Sequence, residues 1–430
     1  MDNMRISVIG LGYIGLPTAA VLASQGFDVV GVDTKQQVVD AVNAGQVPFV
    51  EPDLDVSVAG AVSRGWLRAQ STIPASDVFI IAVPTPFSHD RLPDLSYVEA
   101  AASSIATVLT GGELVILEST SPPGTTRRIA ELVSTLRPDI EVALNDQHSE
   151  RAVHFAHCPE RVLPGRIMIE MIQNDRIVGG LSGASTIRAA ALYNTFCKGQ
   201  LLTTNATTAE TAKLVENAYR DVNIALANEI AKVADSLGID GWELIDLANH
   251  HPRVNILKPG PGVGGHCIAV DPWFLISAAP DETLLMRQAR QINDSKPAEV
   301  TGTIRSMVID SGARSVTVMG LAYKPDIDDL RESPAVAIVG ELAETMPDLA
   351  ISVVEPHVKT LPQKLAAFQN VTLGSVESAK TEAGVVCVLV EHTAFRAYCR
   401  EDFAALRILD TCGLWSKQAA SAPIAAVQAN

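Results

Sequence analysis

A cysteine inside a glycine-rich run is the residue of this chain whose surroundings most strongly suggest chemistry. Residues 258–272 read Lys-Pro-Gly-Pro-Gly-Val-Gly-Gly-His-Cys-Ile-Ala-Val-Asp-Pro, so Cys267 is followed four residues later by Asp271. Glycine permits positive φ and proline fixes its own φ, so the run predicts a shaped loop that a ligand can approach closely. Two interpretations stay open at this point. The loop either presents a thiol nucleophile or cradles a phosphate and contains a cysteine incidentally.

A second motif, near the start of the chain, is typical of a dinucleotide site. Residues 10–15 read Gly-Leu-Gly-Tyr-Ile-Gly, follow a short apolar strand and open a helical segment. In such a motif the glycines allow the tight turn, the approach of a pyrophosphate and close helix packing, and the helix N-terminus attracts phosphate. Asp33 ends the next strand and would accept hydrogen bonds from a ribose diol, which favours NAD over NADP despite Lys35 nearby. A Rossmann fold that binds no dinucleotide is the alternative.

A long helical segment follows in the middle of the chain. Residues 201–237 contain neither glycine nor proline, and Gly238 ends the run. We expect Thr207 or Thr208 as the N-cap, with Glu210 in the first turn. About thirty helical residues would span roughly 45 Å. A helix of this length can connect two domains and serve as a dimerisation element.

Three polar residues of this helix share one face. Lys213, Asn217 and Arg220 are spaced i, i+4 and i+7. An asparagine between two cations suits an oxyanion or a phosphate, whereas the alternative is an ordinary solvated stripe. We favour the first interpretation because Glu216, Asp221 and Lys232 are expected to supply the solvent-facing charge.

Alternating strand and helix patterns position these motifs. The first 205 residues predict a doubly wound parallel sheet, with further strands at 78–83, 114–117 and 176–178. Ligands of such sheets bind at the carboxyl ends of the strands, where Thr85, Ser119 and Thr120 lie. For any one of these residues alone, ordinary turn chemistry is the alternative.

A second α/β unit with an eroded glycine motif begins near Ala298. The pattern predicts strands at 314–319, 350–354 and 385–390 and a helix at 335–344. Lys324 and Arg331 follow its first strand, where phosphate ligands bind, so a mononucleotide is expected there. The predicted fold class is therefore α/β, with two Rossmann-like doubly wound domains joined by a long central helix and a helical dimerisation region. We expect domains at 1–205, 206–297 and 298–430.

Composition favours a large globular protein of the cytoplasm. At 430 residues with 47% hydrophobic residues, the chain suffices for two or three domains. No apolar run approaches the ~18 residues of a membrane-spanning helix, and no signal-peptide pattern precedes the first strand. The six cysteines form no CxxC pairs, which predicts free thiols and neither a disulfide framework nor a metal site.

The formal net charge of −16 limits the possible partners. Such a chain repels nucleic acids and anionic membranes at long range, which leaves a small molecule as the expected partner. If that molecule carries phosphates, lysines and arginines must gather at the site against the overall field.

Taken in order, these motifs closely resemble the family of nucleotide-sugar 6-dehydrogenases, over about residues 5–415. The resemblance is carried by GLGYIGLP (10–17), VPTPF (83–87), ESTSPPGTT (118–126), CPERVLPG (158–165), KLVENAYRDVNIALANE (213–229), HPRVNILKPGPGVGGHCIAVDP (251–272) and LAYKPDIDDLRESPA (321–335). The sequence around His266 and Cys267 is similar to the branch that acts on UDP-N-acetylhexosamines. It implies UDP-N-acetyl-D-mannosamine as the substrate and a role in surface polysaccharide synthesis. UDP-N-acetylglucosamine and UDP-glucose are the alternatives.

The resemblance implies a four-electron oxidation of a primary alcohol to a carboxylate with two NAD molecules. Cys267 would form a thiohemiacetal and then a thioester, and Lys213 would act as base or proton shuttle. Lys213 and Asn217 would stabilise the oxyanion. Glu160 and Asp271, assisted by Thr120, would orient or deprotonate the hydrolytic water.

The resemblance also implies binding residues and a homodimer. Cofactor binding is expected from Gly10, Gly12, Tyr13, Ile14, Gly15, Asp33, Thr85, Thr126 and Arg331. Binding of the UDP-sugar is expected from Arg161, Val162, Lys213, Asn217, Arg220, His251, Arg253, Gly264, Tyr323 and Lys324, with Arg331 also counted among the phosphate-binding cations. Arg253 is expected to reach the neighbouring subunit's site. Cys412 departs from the family pattern, which more often has a basic or polar residue there, and Lys417 is a possible substitute.

Two other classes of protein stay open. A two-electron dehydrogenase of the hydroxy-acid or 6-phosphogluconate type shares the Rossmann domain, the long helix and a catalytic lysine, but needs no Cys267. A non-catalytic NAD sensor needs none of Lys213, Asn217, Cys267 and Asp271, whose joint presence speaks against it.

Overall fold

The computed structural model describes residues 4–49, 51–87, 91–163, 165–265, 267–382 and 384–416. The chain divides into two compact units, one of residues 1–216 and 273–280 and the other of residues 217–272 and 281–430. Among the described residues, none of the helices combines the length and the apolar character that crossing a bilayer requires.

The first unit is an alternation of strands and helices, as expected. Its strands are β1 (Arg5–Ile9), β2 (Asp28–Val32), β3 (Leu67–Gln70), β4 (Val78–Ile81), β5 (Leu114–Leu117), β6 (His154–His157), β7 (Arg176–Gly180) and β8 (Leu201–Asn205). Its helices are α1 (Gly15–Ser24), α2 (Gln36–Asn43), α3 (Leu54–Ser63), α4 (Ser96–Ala106), α5 (Thr125–Leu136), α6 (Ile167–Gln173) and α7 (Gly183–Tyr193).

The eight strands form one sheet in the order β3-β2-β1-β4-β5-β6-β7-β8. Its first six positions have the strand order of a dinucleotide-binding fold, with the switch in direction between β1 and β4. The described strands pair in parallel except β6 and β7, which pair antiparallel. Successive strand residues point to opposite faces, so Ile6 and Val8 join one buried core and Ile9 joins the other.

A long helix and two neighbours follow along the chain. They are α8 (Ala206–Leu237), α9 (Gly241–Asn249) and α10 (Asp271–Ala278). The expected N-cap at Thr207 or Thr208 is wrong, because α8 begins at Ala206 directly after β8 and the Asn205 side chain accepts a hydrogen bond from the Thr208 N–H at 2.8 Å. Asparagine is among the preferred N-cap residues.

The second unit contains a smaller sheet of the same kind. Its elements are α11 (Leu284–Ser311), β9 (Ser315–Met319), α12 (Pro334–Thr345), β10 (Ala350–Val354), α13 (Gln363–Ala366), β11 (Val371–Leu373), α14 (Val376–Glu382), β12 (Val385–Val388) and β13 (Arg407–Asp410), with short 3₁₀ helices at Thr393–Ala397 and Arg400–Phe403. The strand order β11-β10-β9-β12-β13 is parallel throughout. The two Rossmann-like sheets, the first parallel except between β6 and β7 and the second parallel throughout, lie on either side of α8 in the sequence and confirm the predicted fold class.

The turn after β1 is defined by backbone hydrogen bonds. Gly10 has φ of +93°, and its N–H donates to the Val32 carbonyl at 2.8 Å. The Leu11 N–H donates to Oδ2 of Asp33 at 3.0 Å. The carboxylate at the end of β2 therefore helps to hold the glycine turn that follows β1.

The turn after β9 has the same pattern of hydrogen bonds, with a glutamate in place of the aspartate. Gly320 has φ of +95° and donates to the Val354 carbonyl at 2.8 Å, and the Leu321 N–H donates to Oε2 of Glu355 at 2.7 Å. Pro325 stands at the place of the third glycine of the first motif. Helix α12 accordingly begins only at Pro334, after a loop that the first unit lacks.

A buried polar network fastens α8 to α11 and to the glycine run before Cys267. Asp221 is wholly buried against Arg290, so the expectation that it supplies solvent-facing charge is wrong. The Asn293 amide donates to the Asp221 carbonyl at 2.9 Å and accepts from the Asn228 amide at 3.0 Å. The Asn228 oxygen in turn accepts from the Gly260 N–H at 3.0 Å.

Candidate active site

The glycine motif after β1 leaves open space at one residue only. A Cβ on Gly15 would lie 1.8 Å from the Gly10 carbonyl oxygen, and one on Gly10 would lie 2.6 Å from the Ala82 oxygen. Gly12 differs, because its Cβ would meet no heavy atom within 4 Å beyond its chain neighbours. Gly10 and Gly15 are therefore required by the fold itself. The space at Gly12 suits the close approach of a pyrophosphate.

Asp33 lies partly exposed at the end of β2, where a ribose-binding acid is expected. Besides the Leu11 contact, its Oδ1 accepts from the Lys35 N–H at 2.9 Å. The donor of this bond is the backbone N–H of Lys35, and the Asp33 carboxylate stays partly exposed to solvent.

Three further residues expected at the cofactor lie around the same sheet edge. Tyr13 is 40% exposed and its ring stacks 4.3 Å from that of Phe49, while Ile14 is half-buried before α1. The Thr85 hydroxyl donates to the Thr120 carbonyl at 2.6 Å. The loops after β4 and β5 are thus joined through these two threonines.

Thr126 lies at the N-terminus of α5 and is bonded to a residue that the sequence reasoning gave no role. Its N–H and its hydroxyl both donate to Oε1 of Glu210, at 2.7 and 2.6 Å, and the Gly124 N–H donates to Oε2 at 2.6 Å. Burial raises the pKa of Glu210 above its ordinary value, although these hydrogen bonds oppose the shift. A carboxylate on α8 thereby caps the positive end of α5.

Glu160 is buried and oriented by two donors. Arg176 donates to its Oε2 at 2.8 Å, and the Arg161 N–H donates to Oε1 at 2.7 Å. The Arg176 guanidinium is itself buried, with its carbon 5.0 Å from the Tyr193 ring centroid and 5.3 Å from that of Phe196. Cation–π contacts of this kind hold a guanidinium in one plane.

Glu118 at the end of β5 is a buried carboxyl that sequence reasoning missed. It accepts from the Thr18 hydroxyl at 3.0 Å and from the Tyr193 hydroxyl at 2.6 Å. Burial raises the pKa of Glu118 to about 7, opposed by the charge of Arg176. Burial also raises the pKa of Cys158 to about 12, so this thiol is not a candidate nucleophile.

Three expected substrate-binding residues of the first unit differ in their surroundings. Arg161 forms an ion pair with Glu216 at 2.7 Å and donates to the Asp175 carbonyl at 3.2 Å. Val162 packs against the core of the unit. Lys213 is half-buried on α8.

In the second unit, the glycines before Cys267 pack on the turn after β9. A Cβ on Gly264 would lie 2.7 Å from the Glu332 oxygen and 2.9 Å from Tyr323 Cβ. Gly265 has φ of +81°, and its Cβ would lie 2.8 Å from the Tyr323 ring. Tyr323 therefore sets the path of the cysteine loop, and the expected pair Gly264 and Tyr323 lies in direct contact.

Cys267, Asp271 and Asn217 are joined through a short turn and one buried hydrogen bond. The carbonyl of the exposed Cys267 accepts from the N–H groups of Val270 at 3.0 Å and Asp271 at 2.8 Å, which leads the chain into α10. Asp271 and Asn217 are both buried, and the Asn217 amide donates to Oδ2 of Asp271 at 2.5 Å. The turn therefore links the Cys267 thiol to a carboxylate, four residues later, whose orientation Asn217 fixes.

The expected phosphate-binding cations of the second unit lie at its surface. Arg220, His251 and Arg253 are exposed, and Nδ1 of His251 accepts from the Arg253 N–H at 3.3 Å. Lys324 is half-buried after β9. Arg331 is exposed and forms an ion pair with Asp329 at 2.7 Å.

Cys412 is the residue at which a basic or polar side chain was expected from the family resemblance. Its Sγ lies 3.7 Å from Oδ1 of Asp410, and burial, together with that carboxylate, raises the pKa of the thiol well above its ordinary value. Lys417, the possible substitute, and His266, which pointed to the acetylhexosamine branch, lie outside the described residues.

Three segments of the chain match the domains of one family. Residues 4–197 match the NAD binding domain, residues 207–295 the central domain and residues 317–417 the UDP binding domain of the UDP-glucose/GDP-mannose dehydrogenase family. The resemblance drawn from the motifs is confirmed.

Individual relatives are similar over almost their whole length. The chain is 49% identical over 416 residues to an NDP-N-acetyl-D-galactosaminuronic acid dehydrogenase of Ralstonia nicotianae, covering 97% of each chain. It is 50% identical over 424 residues to a UDP-N-acetyl-D-mannosamine dehydrogenase of Yersinia pestis, covering 96% of this chain and 100% of the relative. The solved structure of a UDP-D-ManNAc dehydrogenase from Pyrococcus horikoshii is similar with a TM-score of 0.85 at 40% identity, covering 96% of each chain.

Proposed function

The chain belongs to the UDP-glucose/GDP-mannose dehydrogenase family of NAD-dependent oxidoreductases, and from this premise we propose that it oxidises UDP-N-acetyl-D-mannosamine at C6 to the uronate. The single observation that carries the chemistry is the arrangement of Cys267, Asp271 and Asn217. An exposed thiol on a glycine-shaped loop is joined by one turn to a carboxylate that Asn217 orients. A dehydrogenase that stops at an aldehyde or ketone has no use for this set.

The first step converts the C6 alcohol to an aldehyde. Lys213 takes the hydroxyl proton, directly or through water, as the carbon gives up hydride. NAD supplies the hydride acceptor in this step and in the next oxidation. The three glycines of residues 10–15 and the carboxylate of Asp33 fit that cofactor, because they leave backbone and space for a pyrophosphate and an acid for a ribose.

The second step uses Cys267 as a nucleophile. Its thiolate adds to the aldehyde carbon and forms a thiohemiacetal, which can lose a second hydride and become a thioester. The oxygen that carries negative charge during addition needs donors, and Lys213 and Asn217, one turn apart on α8, are proposed for this role. The Asn217 amide has a second hydrogen beyond the one it gives to Asp271.

The last step is hydrolysis of the thioester, in which water adds to the carbonyl carbon and the Cys267 thiolate leaves. We propose Asp271 and Glu160 as the carboxylates that orient or deprotonate this water, with Thr120 assisting. Glu160 is supported by its fixed position, because Arg176 and the Arg161 N–H bond its two oxygens separately. The product is a carboxylate, and the thiol is regenerated.

Binding of the diphosphate is proposed for the cations Arg161, Arg220, His251, Arg253, Lys324 and Arg331. A chain of net charge −16 repels an anionic substrate at long range, whereas cations near the site act at short range. We propose that residues 1–205 bind the cofactor, that residues 206–297 contain the cysteine loop and that residues 298–430 bind the UDP moiety.

A homodimer is proposed on the basis of α8. Tyr219, Leu226, Val233 and Leu237 are spaced by seven, seven and four residues along the helix and are 46–67% exposed. Apolar residues at such spacing form one seam along a helix, which a second helix can cover. Arg253 is exposed on the loop after α9, as a residue that acts in a neighbouring subunit's site must be.

The choice of sugar is supported by the relatives and tested by a substrate panel. Relatives near 50% identity are named for UDP-N-acetyl-D-mannosamine and for an NDP-N-acetylgalactosaminuronic acid, so both acetylhexosamines belong in the panel, with UDP-N-acetylglucosamine and UDP-glucose. NADH formation is followed for each at equal concentration. We expect the highest kcat/KM for UDP-N-acetyl-D-mannosamine. Faster turnover of any other sugar contradicts the substrate proposal.

The cysteine route is tested by stoichiometry. We expect two NADH per sugar oxidised and no net uronate from the Cys267→Ser variant, because a serine hydroxyl does not add readily to the aldehyde. A ratio of one NADH would support the two-electron class. The Cys399→Ser variant is the matched control, since this free thiol precedes the 3₁₀ helix Arg400–Phe403 and has no proposed role, and it should keep both the ratio and the rate.

A further inference from the structure

One group of titratable side chains in the second unit has no part in the proposed mechanism. Asp326, His357 and His392 place side-chain donor atoms within 4.8 Å of one another at the carboxyl edge of the β9–β13 sheet. Behind them lies Glu355 at the end of β10. His392 is wholly buried, which is unusual for histidine and calls for a physical reason.

The hydrogen bonds of His392 define its tautomer. The Asp326 backbone N–H lies 3.0 Å from Nδ1, and a backbone N–H can only donate, so Nδ1 is the acceptor. The ring hydrogen is therefore on Nε2, which donates to Oε2 of Glu355 at 3.0 Å. This neutral imidazole commits its free lone pair to a protein N–H. A metal ion would have to displace that bond, so the geometry favours a structural role for the cluster.

Asp326 is held from both sides in a conformation that L residues adopt rarely. Its φ is +62°, in the left-handed region. Its carboxylate accepts from the Thr393 N–H at 2.8 Å and from the Thr393 hydroxyl at 2.7 Å, while its own N–H is taken by His392. The loop between β9 and α12 is thereby fastened to the segment after β12.

That loop carries residues proposed to bind the UDP-sugar. Lys324 is two residues before Asp326, and the Tyr323 ring sets the path of Gly265, close to Cys267. Without the His392 bond the loop would be held here by the Thr393 contacts of Asp326 alone, so Lys324 and Tyr323 would be placed less firmly. The contact thus links a buried histidine to the proposed binding and reacting groups.

The two units differ at this point. In the first unit the acid at the end of β2, Asp33, is partly exposed and open to a ribose diol. In the second unit the corresponding acid, Glu355, is buried and bonds to His392. His392 thus bonds to the carboxylate that corresponds to the ribose-binding acid of a dinucleotide site.

We propose that His392 is a positioning residue that fastens the Lys324 loop and fills the ribose-diol position, so that this unit takes a nucleoside diphosphate and not a dinucleotide. The proposal rests on the proposed function, because it takes Lys324 and Tyr323 as substrate-binding residues.

Two amide variants separate the two hydrogen bonds of His392. In His392→Asn the amide oxygen lies near the place of Nδ1 and can still accept from Asp326. In His392→Gln the amide nitrogen lies near the place of Nε2 and can donate to Glu355, but the acceptor for Asp326 is lost. Binding of UDP and of NADH is measured separately by calorimetry on the full chain. His357→Gln, whose ring lies 5.0 Å from that of His392, is the control.

We expect His392→Gln to weaken UDP binding about tenfold, the equivalent of one lost hydrogen bond. His392→Asn and His357→Gln should stay within about threefold of the wild type, and NADH affinity should be unchanged in all three. Wild-type UDP affinity in His392→Gln, or an equal loss of NADH affinity, overturns the proposal. The Lys324→Ala variant distinguishes failure of the proposal for His392 from failure of the proposed function. If it does not weaken UDP binding the proposed function fails, whereas weakening by Lys324→Ala alone refutes only the role of His392.

Discussion

The amide of Asn217, on the long helix, donates to the carboxylate of Asp271, the first residue of the helix after the cysteine loop, at 2.5 Å. Both side chains are buried. The bond fixes the orientation of two groups that are proposed to act at successive stages, the oxyanion donor and the hydrolytic carboxylate. It also explains why an asparagine is useful here, because an amide can donate twice, whereas a second carboxylate would repel the first.

Removal of the Asn217 amide should lower the rate of the chemical step. We expect Asn217→Ala to reduce kcat on the order of 10²–10³-fold, the usual cost of losing one oxyanion donor, with a smaller change in KM. Asn223→Ala is the matched control, because the Asn223 amide bonds only to the Tyr219 carbonyl of its own helix, at 3.3 Å, among the described contacts. Steady-state kinetics on both variants checks the prediction. Equal losses in both would point to damage of the helix itself.

The glycine motif offers a pair of substitutions with different expected effects. Gly15→Ala forces a Cβ to within 1.8 Å of a backbone oxygen, so it should destabilise the fold by about 3 kcal/mol and abolish NAD binding. Gly12→Ala meets no such obstacle and should leave the melting temperature unchanged. It should nevertheless weaken NAD binding, because a methyl group would occupy the space of the pyrophosphate. Thermal melting and NADH titration together test this difference.

Glu118 should make the stability of the protein depend on pH in a defined direction. Burial raises the pKa of this carboxyl to about 7, from an ordinary value of 4.5. The folded chain therefore binds more protons than the unfolded chain between these values, so the free energy of unfolding falls as pH rises through this window. The stabilisation is fully present below pH 4.5 and is lost as pH rises through about 7.

The Glu118→Gln variant removes this dependence. It should be more stable than the wild type at pH 8, by on the order of 3 kcal/mol at most, and the advantage should shrink towards pH 5. Urea denaturation of both proteins at several pH values measures the difference. Stability curves that stay parallel from pH 5 to pH 8 would contradict the assigned environment of Glu118.

The proposed reach of Arg253 into a neighbouring subunit predicts complementation. Cys267→Ser and Arg253→Ala should each be nearly inactive when expressed alone. In a co-expressed heterodimer, one of the two sites combines the intact Cys267 of one chain with the intact Arg253 of the other. The isolated heterodimer should therefore have about half of the wild-type activity, and the unsorted mixture from random pairing about a quarter. Differently tagged chains, purified in sequence, isolate the heterodimer. An inactive heterodimer would place Arg253 in its own chain's site.

The apolar seam of α8 predicts the effect of one charge on assembly. Leu226→Lys places an ammonium group at the centre of the seam and should halve the mass measured by light scattering. Asp235→Asn makes the same one-unit change of charge at an exposed residue nine positions from Leu226, about half a turn around the helix, and should keep the wild-type mass. NADH affinity should be the same in both variants. A wild-type mass for Leu226→Lys would show that other residues form the interface.

The parts of the fold that depend on short-range patterns could be predicted from the sequence. The strands at 114–117 and 350–354 lie where their apolar runs are, because turn residues bound them on both sides. The strands β3 and β6 were not predicted, because Leu67–Gln70 and His154–His157 contain arginine, glutamine and histidine in place of a continuous apolar run.

Short-range sequence patterns could not predict contacts between residues that are distant in the sequence. Glu210 takes both donors of Thr126 across 84 residues, and nothing local to either residue indicates the pairing. Asp221 looks like a solvent-facing charge until Arg290 is placed beside it. The identities of Cys267, Asn217 and Asp271 could be read from motifs, whereas the hydrogen bond between the last two needed coordinates.

The repeated turn has a consequence for any attempt to re-engineer the second unit. Its backbone still closes around Gly320 and Glu355 as the first unit closes around Gly10 and Asp33, so the scaffold for a dinucleotide has been kept. The second unit differs in that no helix begins beside the glycine turn. Pro325 stands there, and a loop separates it from the start of α12 at Pro334. A reversal would therefore need the deletion of a loop and the removal of His392, not the insertion of glycines alone. The difference in proposed ligand between the two units therefore depends on the length of the loop between β9 and α12. Point substitutions do not change the length of a loop.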